Sequence, residues 1–235
     1  MIRTKPSKAR RSLRIVAIPR PLKLGGWRPL LQRWGELLDQ YVVASKQPDR
    51  EEYVRASERR NDEKEDFAHW YGERPLTGLL ASAAWTIKGG WSLEEFAAKR
   101  GKRQQNGSGR GDLWLGTGKR CYTVEAKLDW PQSGWRRAVA LAEQRLQEAE
   151  KQLGSLVKEY RWGEAVALCY LVPCLNTKRA SSKPSNVKKL FWKTSEVFAR
   201  NGALVATYRP PRKIVYGAHA YPGVIVIAEV HEWPE

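Results

Sequence analysis

The sequence predicts a mixed α/β fold. Apolar residues recur three and four positions apart in residues 29–45, 73–87 and 133–160, the spacing of amphipathic helices. Two short strand-like segments flank Gly116-Thr117-Gly118, as the two strands of a hairpin flank its turn. Residues 165–175 form a continuous apolar run, which is typical of a buried central strand. Strands interleaved with helices indicate the α/β class.

Length and composition are those of a globular protein. The chain has 235 residues, of which 42% are hydrophobic and 29% charged, which suits one large domain or one domain with an extension. No apolar run approaches the ~18 residues that a membrane crossing needs. The basic, proline-containing start lacks the apolar segment of a secretory signal. We therefore expect a cytoplasmic protein that does not associate with a membrane.

Cysteine and histidine do not indicate a structural framework. The cysteines are odd in number and lack CxxC spacing, so a disulfide frame or structural zinc site is not predicted, and buried thiols are expected. The histidines lack metal-ligand spacing. These residues are Cys121, Cys169, Cys174, His69, His219 and His231.

The charge balance points to a polyanionic partner. Lys and Arg total 42 against 25 Asp and Glu, a formal charge of +17. Ten basic residues and no acidic residue lie within residues 1–33. Such a tail can bind phosphate groups without reading sequence, although a merely solubilising tail has the same composition. Nucleic acid is favoured over an acidic membrane because no lipidation motif or basic amphipathic helix is evident.

The first third of the chain is predicted to precede the core. Residues 1–28 form a basic extension, extended or loop-like before Trp27. Residues 29–72 form a helical, charged extension, with an amphipathic helix at 29–45 and a solvated helical arm at 49–70. The core is predicted to occupy residues 73–235.

The core is predicted to begin with a helix over residues 73–87, which Gly89-Gly90 ends. Glu73 lies at the start of this helix, where the helix dipole favours a carboxylate. Ser92 and Glu95 have the spacing of a capping box, so a second short helix is expected to end near Gly101. Residues 102–111 are a basic, Gly-rich loop that suits phosphate contact or a flexible connection.

The remaining elements alternate between helix and strand. A long helix is expected over 133–160, with Gly154 able to end it early, followed by the buried strand at 165–175. A further helix at 187–200 and strands at 203–208 and 224–231 complete the chain.

The hairpin brings polar side chains to one face. Side chains alternate along a strand, so Glu125 and Lys127 point the same way. A turn centred on Thr117-Gly118 places Asp112 opposite Thr123, on that face and diagonal to Glu125 at ~7–8 Å. The other face is apolar and is expected to join the core; it comprises Leu113, Leu115, Tyr122, Val124, Ala126 and Leu128.

This set of side chains suits phosphodiester hydrolysis. Two carboxylates suit Mg²⁺ or Mn²⁺, which polarises a phosphoryl group and lowers the pKa of bound water. A lysine one strand step away can orient or deprotonate that water. The alternative to a catalytic site is a Glu/Lys pair without catalytic function on the surface of a half-exposed sheet.

Asp112 followed by Glu125-Ala126-Lys127 on hairpin strands, with a helix after them, resembles the PD-(D/E)xK nuclease superfamily. The resemblance covers about residues 73–175 and implies a restriction-endonuclease-like αβββαβ core, Mg²⁺ dependence and cleavage of DNA, less often RNA. It implies that Asp112, Glu125 and the Ala126 carbonyl are metal ligands and Lys127 the catalytic lysine. Glu73 fits the place of the helix carboxylate found in many members, which implies that it is a further metal ligand and catalytic residue. Gly111 stands where the family name has proline.

Several basic residues are candidate phosphate contacts, and three tryptophans beside basic residues are candidates for stacking on a base or sugar. The basic residues are Arg103, Arg110, Lys183, Lys188, Lys189 and Arg212, and the tryptophans are Trp27, Trp130 and Trp192.

The leading hypothesis is a metal-dependent DNA endonuclease that acts in defence, repair or recombination. The second is a non-catalytic nucleic-acid-binding protein that keeps the nuclease fold, and the third is an interaction protein that docks on a nucleoprotein through its basic tail. Because cutting both strands of a duplex usually needs two active centres, the first hypothesis is compatible with a homodimer.

Overall fold

A seven-stranded mixed sheet forms the centre of the molecule in the computed structural model. The strand order is β1-β7-β10-β5-β4-β3-β2, and β4 and β5 are parallel while their other neighbours run antiparallel. A small second sheet has the order β6-β9-β8. The strands are β1 (Leu13–Ala17), β2 (Gly90–Lys99), β3 (Ser108–Thr117), β4 (Cys121–Asp129), β5 (Glu164–Leu171), β6 (Leu175–Asn176), β7 (Leu204–Tyr208), β8 (Ile214–Tyr216), β9 (His219–Tyr221) and β10 (Val224–His231).

Helices cover both faces of the large sheet. They are α1 (Trp27–Ala44), α2 (Glu73–Thr86), α3 (Trp135–Gly154) and α4 (Pro184–Arg200). Helices α1 and α2 pack with one sheet face in one hydrophobic cluster, whereas α3 and α4 pack with the other face in a second cluster. The arrangement is a three-layer α/β/α architecture, so the predicted mixed α/β class is confirmed.

The structure describes residues 12–18, 24, 26–44, 68, 72–99, 108–118, 120–132, 134–177, 184–210, 214–216 and 218–234. The predicted charged arm at 49–70 and most of the predicted loop at 102–111 lie outside these residues. Of the helices within the described ranges, none combines the length and apolar character needed to cross a membrane.

Most predicted elements are present with small changes of boundary. The first two helices lie where the apolar spacing placed them, and the third ends at Gly154, as the glycine allowed. Most of the buried run at 165–175 is strand β5, which is buried at all but its first residue, Glu164, and the last residue of the run, Leu175, begins β6 of the small sheet. Cys169 and Cys174 are buried free thiols, as expected, and Cys121 is a partly buried one.

The predicted helix after Gly89-Gly90 is wrong, because these residues form the edge strand β2. Strand β2 pairs with β3 from Gly90 to Lys99. The Ser92 hydroxyl caps no helix; it donates a hydrogen bond to the Ala81 carbonyl of α2 at 2.9 Å. A ladder of backbone hydrogen bonds to β3 outweighs the weak local preference for a helix.

The basic extension also contributes to the sheet. Strand β1 pairs with β7 at the edge opposite β2. Residues Leu30, Leu31 and Trp34 of α1 are fully buried in the same cluster as α2. The division at residues 28 and 72 nevertheless stays a prediction.

Candidate active site

The register of the β3–β4 hairpin decides which side chains meet. Leu115 pairs with Tyr122 and Leu113 with Val124. The predicted turn centred on Thr117-Gly118 would pair Leu115 with Arg120. The observed pairing is therefore shifted by two residues from the predicted one. Because an even shift preserves the faces, Asp112 still projects with Glu125 and Lys127. Continuing the observed register places Asp112 directly opposite Glu125, whereas the predicted pairing placed these two residues diagonally. The two carboxylates are therefore closer neighbours across the hairpin than predicted.

The apolar face of the hairpin is buried, as predicted. Its six members are at most 8% exposed: Leu113, Leu115, Tyr122, Val124, Ala126 and Leu128. They pack beneath α1 and α2. Glu125 therefore occupies the opposite face, which α3 covers, and is itself 2% exposed. A carboxylate this deep has lost most of its hydration and needs polar partners.

Three oxygen atoms converge around the Lys127 ammonium. Its Nζ donates to the Ala126 carbonyl oxygen at 2.6 Å. The same Nζ lies 3.7 Å from Asp112 Oδ2 and 3.9 Å from Glu125 Oε1. The Ala126 N–H donates to Asp112 Oδ2 at 2.8 Å, which fixes that carboxylate across the hairpin. One oxygen atom from β3 and two from β4 thus surround one positive charge.

The three side chains of the site differ in their exposure to solvent. The side chains of Asp112 and Lys127 are 27% and 17% exposed, and that of Glu125 is 3% exposed. A ligand arriving from solvent would meet Asp112 and Lys127 first and Glu125 last. Partial burial lowers the effective dielectric around these charges, so they interact more strongly than on an open surface.

The donor set fits a hard divalent cation. Two carboxylates and one backbone carbonyl are the oxygen ligands that Mg²⁺ or Mn²⁺ takes in proteins, with water or substrate completing the shell. Within the described ranges, no three or more His, Cys, Asp or Glu side chains are gathered so as to hold a metal ion. Beside the two carboxylates, the backbone oxygen of Ala126 is a third oxygen atom at the Lys127 ammonium.

Glu73 lies close enough to this site to feel its charges. Burial raises the pKa of Glu73 from 4.5 to about 7, Lys127 opposes the rise and Asp112 adds to it. The nearby guanidinium groups of Arg74 and Arg145 lower it by smaller amounts. The Glu73 carboxyl thus changes its protonation state near neutral pH. Glu73 is the first residue of α2 and does not belong to the hairpin.

Replacing Glu73 with glutamine is expected to stabilise the fold at high pH only. A carboxyl with a folded-state pKa of about 7 lowers stability as the pH rises from 4.5 through 7, because the folded state then loses a proton it prefers to keep. Allowing for solvent screening of a half-buried group, we expect about 1 kcal/mol, or roughly 2–4 °C in Tm, at pH 8.5 in EDTA. Thermal unfolding at pH 8.5 and pH 4.5 measures this. An equal Tm change at both pH values would contradict the desolvation of this carboxyl.

Sequence reasoning missed a charged network beside the site. Arg145 of α3 donates to Asp129 Oδ2 at 3.0 Å and to Glu148 Oε2 at 2.6 Å. The bond to Asp129 joins α3 to the end of β4, directly after the motif, and the bond to Glu148 lies within α3. Arg145 lies next to Leu146 of the buried stripe, and the helical spacing of that stripe was the only signal in the sequence that placed it near the sheet.

The basic residues predicted to contact phosphate differ in their exposure and in their partners. Lys188 and Lys189 are exposed on α4. Arg110 is exposed but forms an ion pair with Glu95 at 2.6 Å. The others, Arg103, Lys183 and Arg212, lie outside the described residues.

One of the three candidate stacking tryptophans is excluded. Trp27 is fully buried and packs edge-on against Tyr122, with ring centroids 5.7 Å apart. Trp130 and Trp192 are 41% and 59% exposed and remain available to a ligand. Trp27 follows Gly26 in a basic segment, but the apolar stripe of α1 continues through it, and this decides its burial.

Comparisons with family models, with curated proteins and with solved structures found no match to this chain.

Proposed function

We propose that this protein is a metal-dependent nuclease that hydrolyses phosphodiester bonds, with DNA as its main substrate. One observation carries the proposal: the Asp112 and Glu125 carboxylates and the Ala126 carbonyl all lie within 4 Å of Lys127 Nζ in a partly open site. Two hard carboxylates, a carbonyl and a lysine are the groups that phosphodiester hydrolysis with a divalent ion uses.

The order of elements around the site supports the same proposal. Helix α2 is followed by β2, β3 and β4, then by α3 and β5. This αβββαβ order is the one that the resemblance to PD-(D/E)xK nucleases implies. The motif residues lie on β3 and β4, which come between α2 and α3 in the chain.

Asp112, Glu125 and the Ala126 carbonyl would hold the Mg²⁺ or Mn²⁺ ion. When bound, such an ion neutralises charge on the phosphate and lowers the pKa of a water molecule. The chain itself supplies orientation, because the Ala126 N–H holds Asp112 in place across the hairpin. Burial keeps bulk water away from Glu125, which strengthens its interactions.

Lys127 and Glu73 are suited to different tasks. The Lys127 ammonium can donate hydrogen bonds to a phosphate oxygen or orient the attacking water. Hydrolysis adds the water oxygen to phosphorus, breaks one P–O ester bond and releases one proton from the water. Glu73, with a pKa of about 7, can accept a proton near neutral pH.

The net charge supports a nucleic-acid substrate. A formal charge of +17 attracts a polyanion and raises its rate of association at low salt. The surface is therefore suited to many sequences of nucleic acid, with selectivity for a given site left to individual contacts.

Purified protein is expected to nick supercoiled plasmid DNA in Mg²⁺ or Mn²⁺ and to stop when EDTA removes the ion, because two carboxylates cannot neutralise a phosphate. Agarose gels measure the conversion to nicked and linear forms. Asp112→Asn is the matched control, since it keeps the size of the side chain and its ability to accept a hydrogen bond from Ala126.

The outcomes separate the hypotheses. Metal-dependent nicking by wild type that Asp112→Asn abolishes supports the proposal. Equal nicking by both proteins indicates a contaminating nuclease and overturns it. Salt-dependent DNA binding without cleavage under any metal instead favours a non-catalytic binding protein.

A further inference from the structure

A second surface of the molecule combines positive charge with aromatic rings. An open groove of about 440 Å³ lies between the start of α3 and α4. Its lining consists of Gly134, Trp135, Arg136, Arg137 and Lys189. The volume falls within the roughly 300–1,000 Å³ of sites that hold small ligands or single groups of larger ones.

The cations of this groove have no carboxylate partner among the residues that the structure describes. Among the described residues, Arg136, Arg137 and Lys189 form no ion pair with a carboxylate. By contrast, Arg145 binds two carboxylates, and Lys193 and Arg200 share Glu196. The first turn of α3 also contains no acidic residue. Three like charges around one groove repel each other, and an anion placed between them removes that repulsion.

Aromatic rings stand beside these charges. The Arg136 guanidinium lies 5.5 Å from the centroid of the Trp135 ring. One turn after Lys189, Trp192 is 59% exposed and has the Lys193 ammonium 4.8 Å from its ring centroid. Flat rings next to cations suit a strand that offers phosphates and unstacked bases together. A free phosphate or a lipid headgroup would use the cations but not the rings.

The groove lies near the candidate active site along the chain. Trp135 follows Lys127 by eight residues, and both come at or after the carboxyl end of β4. Even a fully extended connection of this length spans at most about 29 Å. This upper limit keeps the groove within reach of a strand of several nucleotides that extends from Lys127.

We propose that this groove binds an unpaired stretch of nucleic acid, with Arg136, Arg137 and Lys189 on its phosphates and Trp135 against a base or sugar. The inference rests on the proposed function for the identity of the ligand. It adds a substrate class, nucleic acid with a single-stranded segment, and assigns binding roles to Trp135, Arg136 and Arg137.

The test measures binding of a fluorescein-labelled single-stranded oligonucleotide by anisotropy in EDTA, which prevents cleavage. The triple variant Arg136→Gln/Arg137→Gln/Lys189→Gln is expected to bind about 10–100-fold more weakly at 0.1 M salt. Its plot of log affinity against log salt should lose about 2 from its slope, as three phosphate contacts on a single strand predict. The matched control is Lys151→Gln/Lys158→Gln, exposed cations at the other end of α3, and it should change the slope by less than the triple variant.

A second variant tests the aromatic contact. Trp135→Leu is expected to weaken single-stranded binding by about 5–100-fold, as loss of one stacked base predicts, while its salt slope is unchanged. A fully paired duplex should lose less affinity than the single strand. Far-UV circular dichroism of each variant shows whether the fold is retained.

Failure of this inference differs from failure of the proposed function. An unchanged salt slope in the folded triple variant overturns the groove as a binding site, whether or not the wild type cleaves DNA. Binding of the wild type to phosphatidylserine vesicles but not to oligonucleotides, lost in the triple variant, assigns the groove to a membrane surface and also overturns it. Weakened oligonucleotide binding in a protein that never cleaves supports the groove and overturns only the nuclease.

Discussion

Substituting Lys127 with methionine is expected to lower the rate of Mg²⁺-dependent DNA cleavage by roughly 10²–10³-fold, the effect of removing one preorganised donor from a transition state. Methionine keeps the length of the side chain but removes the charge that lies 2.6 Å from the Ala126 carbonyl and within 4 Å of both carboxylates. Initial rates of plasmid nicking at saturating Mg²⁺ measure this loss.

Lys158→Met is the matched control for this substitution. Lys158 is exposed in a short 3-10 turn that leads into β5, at the opposite end of the parallel β4–β5 pair from the motif lysine. It should cleave at close to the wild-type rate. A folded Lys127→Met protein with more than a third of wild-type activity would contradict a catalytic role for this lysine.

Metal binding distinguishes the lysine from the carboxylates. Isothermal titration with Mn²⁺ should show weaker binding by Asp112→Asn and Glu125→Gln, because each loses a charged ligand. Lys127→Met should bind Mn²⁺ at least as tightly as wild type, because a competing positive charge is removed. Loss of Mn²⁺ affinity in Lys127→Met would instead indicate that this substitution disturbs the site as a whole.

The gathering of Asp112, Glu125 and Lys127 could be predicted because it depends only on alternation along two strands. The pairing in the structure is shifted by two residues, yet the face of each side chain is unchanged. Turn residues determine how strands are aligned, and the Gly-Thr-Gly sequence allows more than one turn. The face was therefore predictable, whereas the opposite partner of Asp112 was not.

Strand β2 could not be recognised from its own residues. Ser92 and Glu95 have the spacing of a helix cap, but β3 provides partners for residues 90–94 and 96–99 on either side of Glu95. Glu95 has a φ of 44°, a conformation that few residues other than glycine adopt, and it pairs with Arg74 and Arg110. These contacts connect residues distant in the chain, so no local pattern contains them.

The surroundings of Glu73 depend on tertiary structure in the same way. Its position at the start of a helix was visible in the sequence, but its burial and its distance from Lys127 were not. Arg145 likewise becomes part of the site only when α3 lies against β4. Motif residues were thus predictable from strand geometry, and the groups that modify their charge were not.

Trp34 connects the first helix of the chain to the sheet. It is fully buried, and its indole N–H donates to the Leu76 carbonyl of α2 at 3.1 Å. The ring stacks on Tyr170 of β5 and meets Tyr208 of β7 edge-on, with centroids 6.1 and 6.3 Å away. A single side chain therefore contacts one neighbouring helix and two strands.

Replacing Trp34 with alanine is expected to lower the free energy of unfolding by about 3–5 kcal/mol, because it leaves a cavity under α1 and removes the hydrogen bond to the Leu76 carbonyl. Trp34→Phe keeps most of the ring and should lose about 1–2 kcal/mol, the part due to the lost indole N–H bond and the smaller ring. Urea unfolding followed by far-UV circular dichroism gives both values.

Trp85→Ala is the control that separates this packing from the general effect of removing an indole. Trp85 also lies on a helix, in the last turns of α2, but it is 65% exposed, so its loss should change stability by no more than about 0.5 kcal/mol. If Trp34→Ala and Trp85→Ala lose equal stability, α1 does not depend on this ring for its place in the core. If Trp34→Ala alone loses several kcal/mol, the helix at residues 27–44 is a structural part of the α/β core rather than an appendage to it.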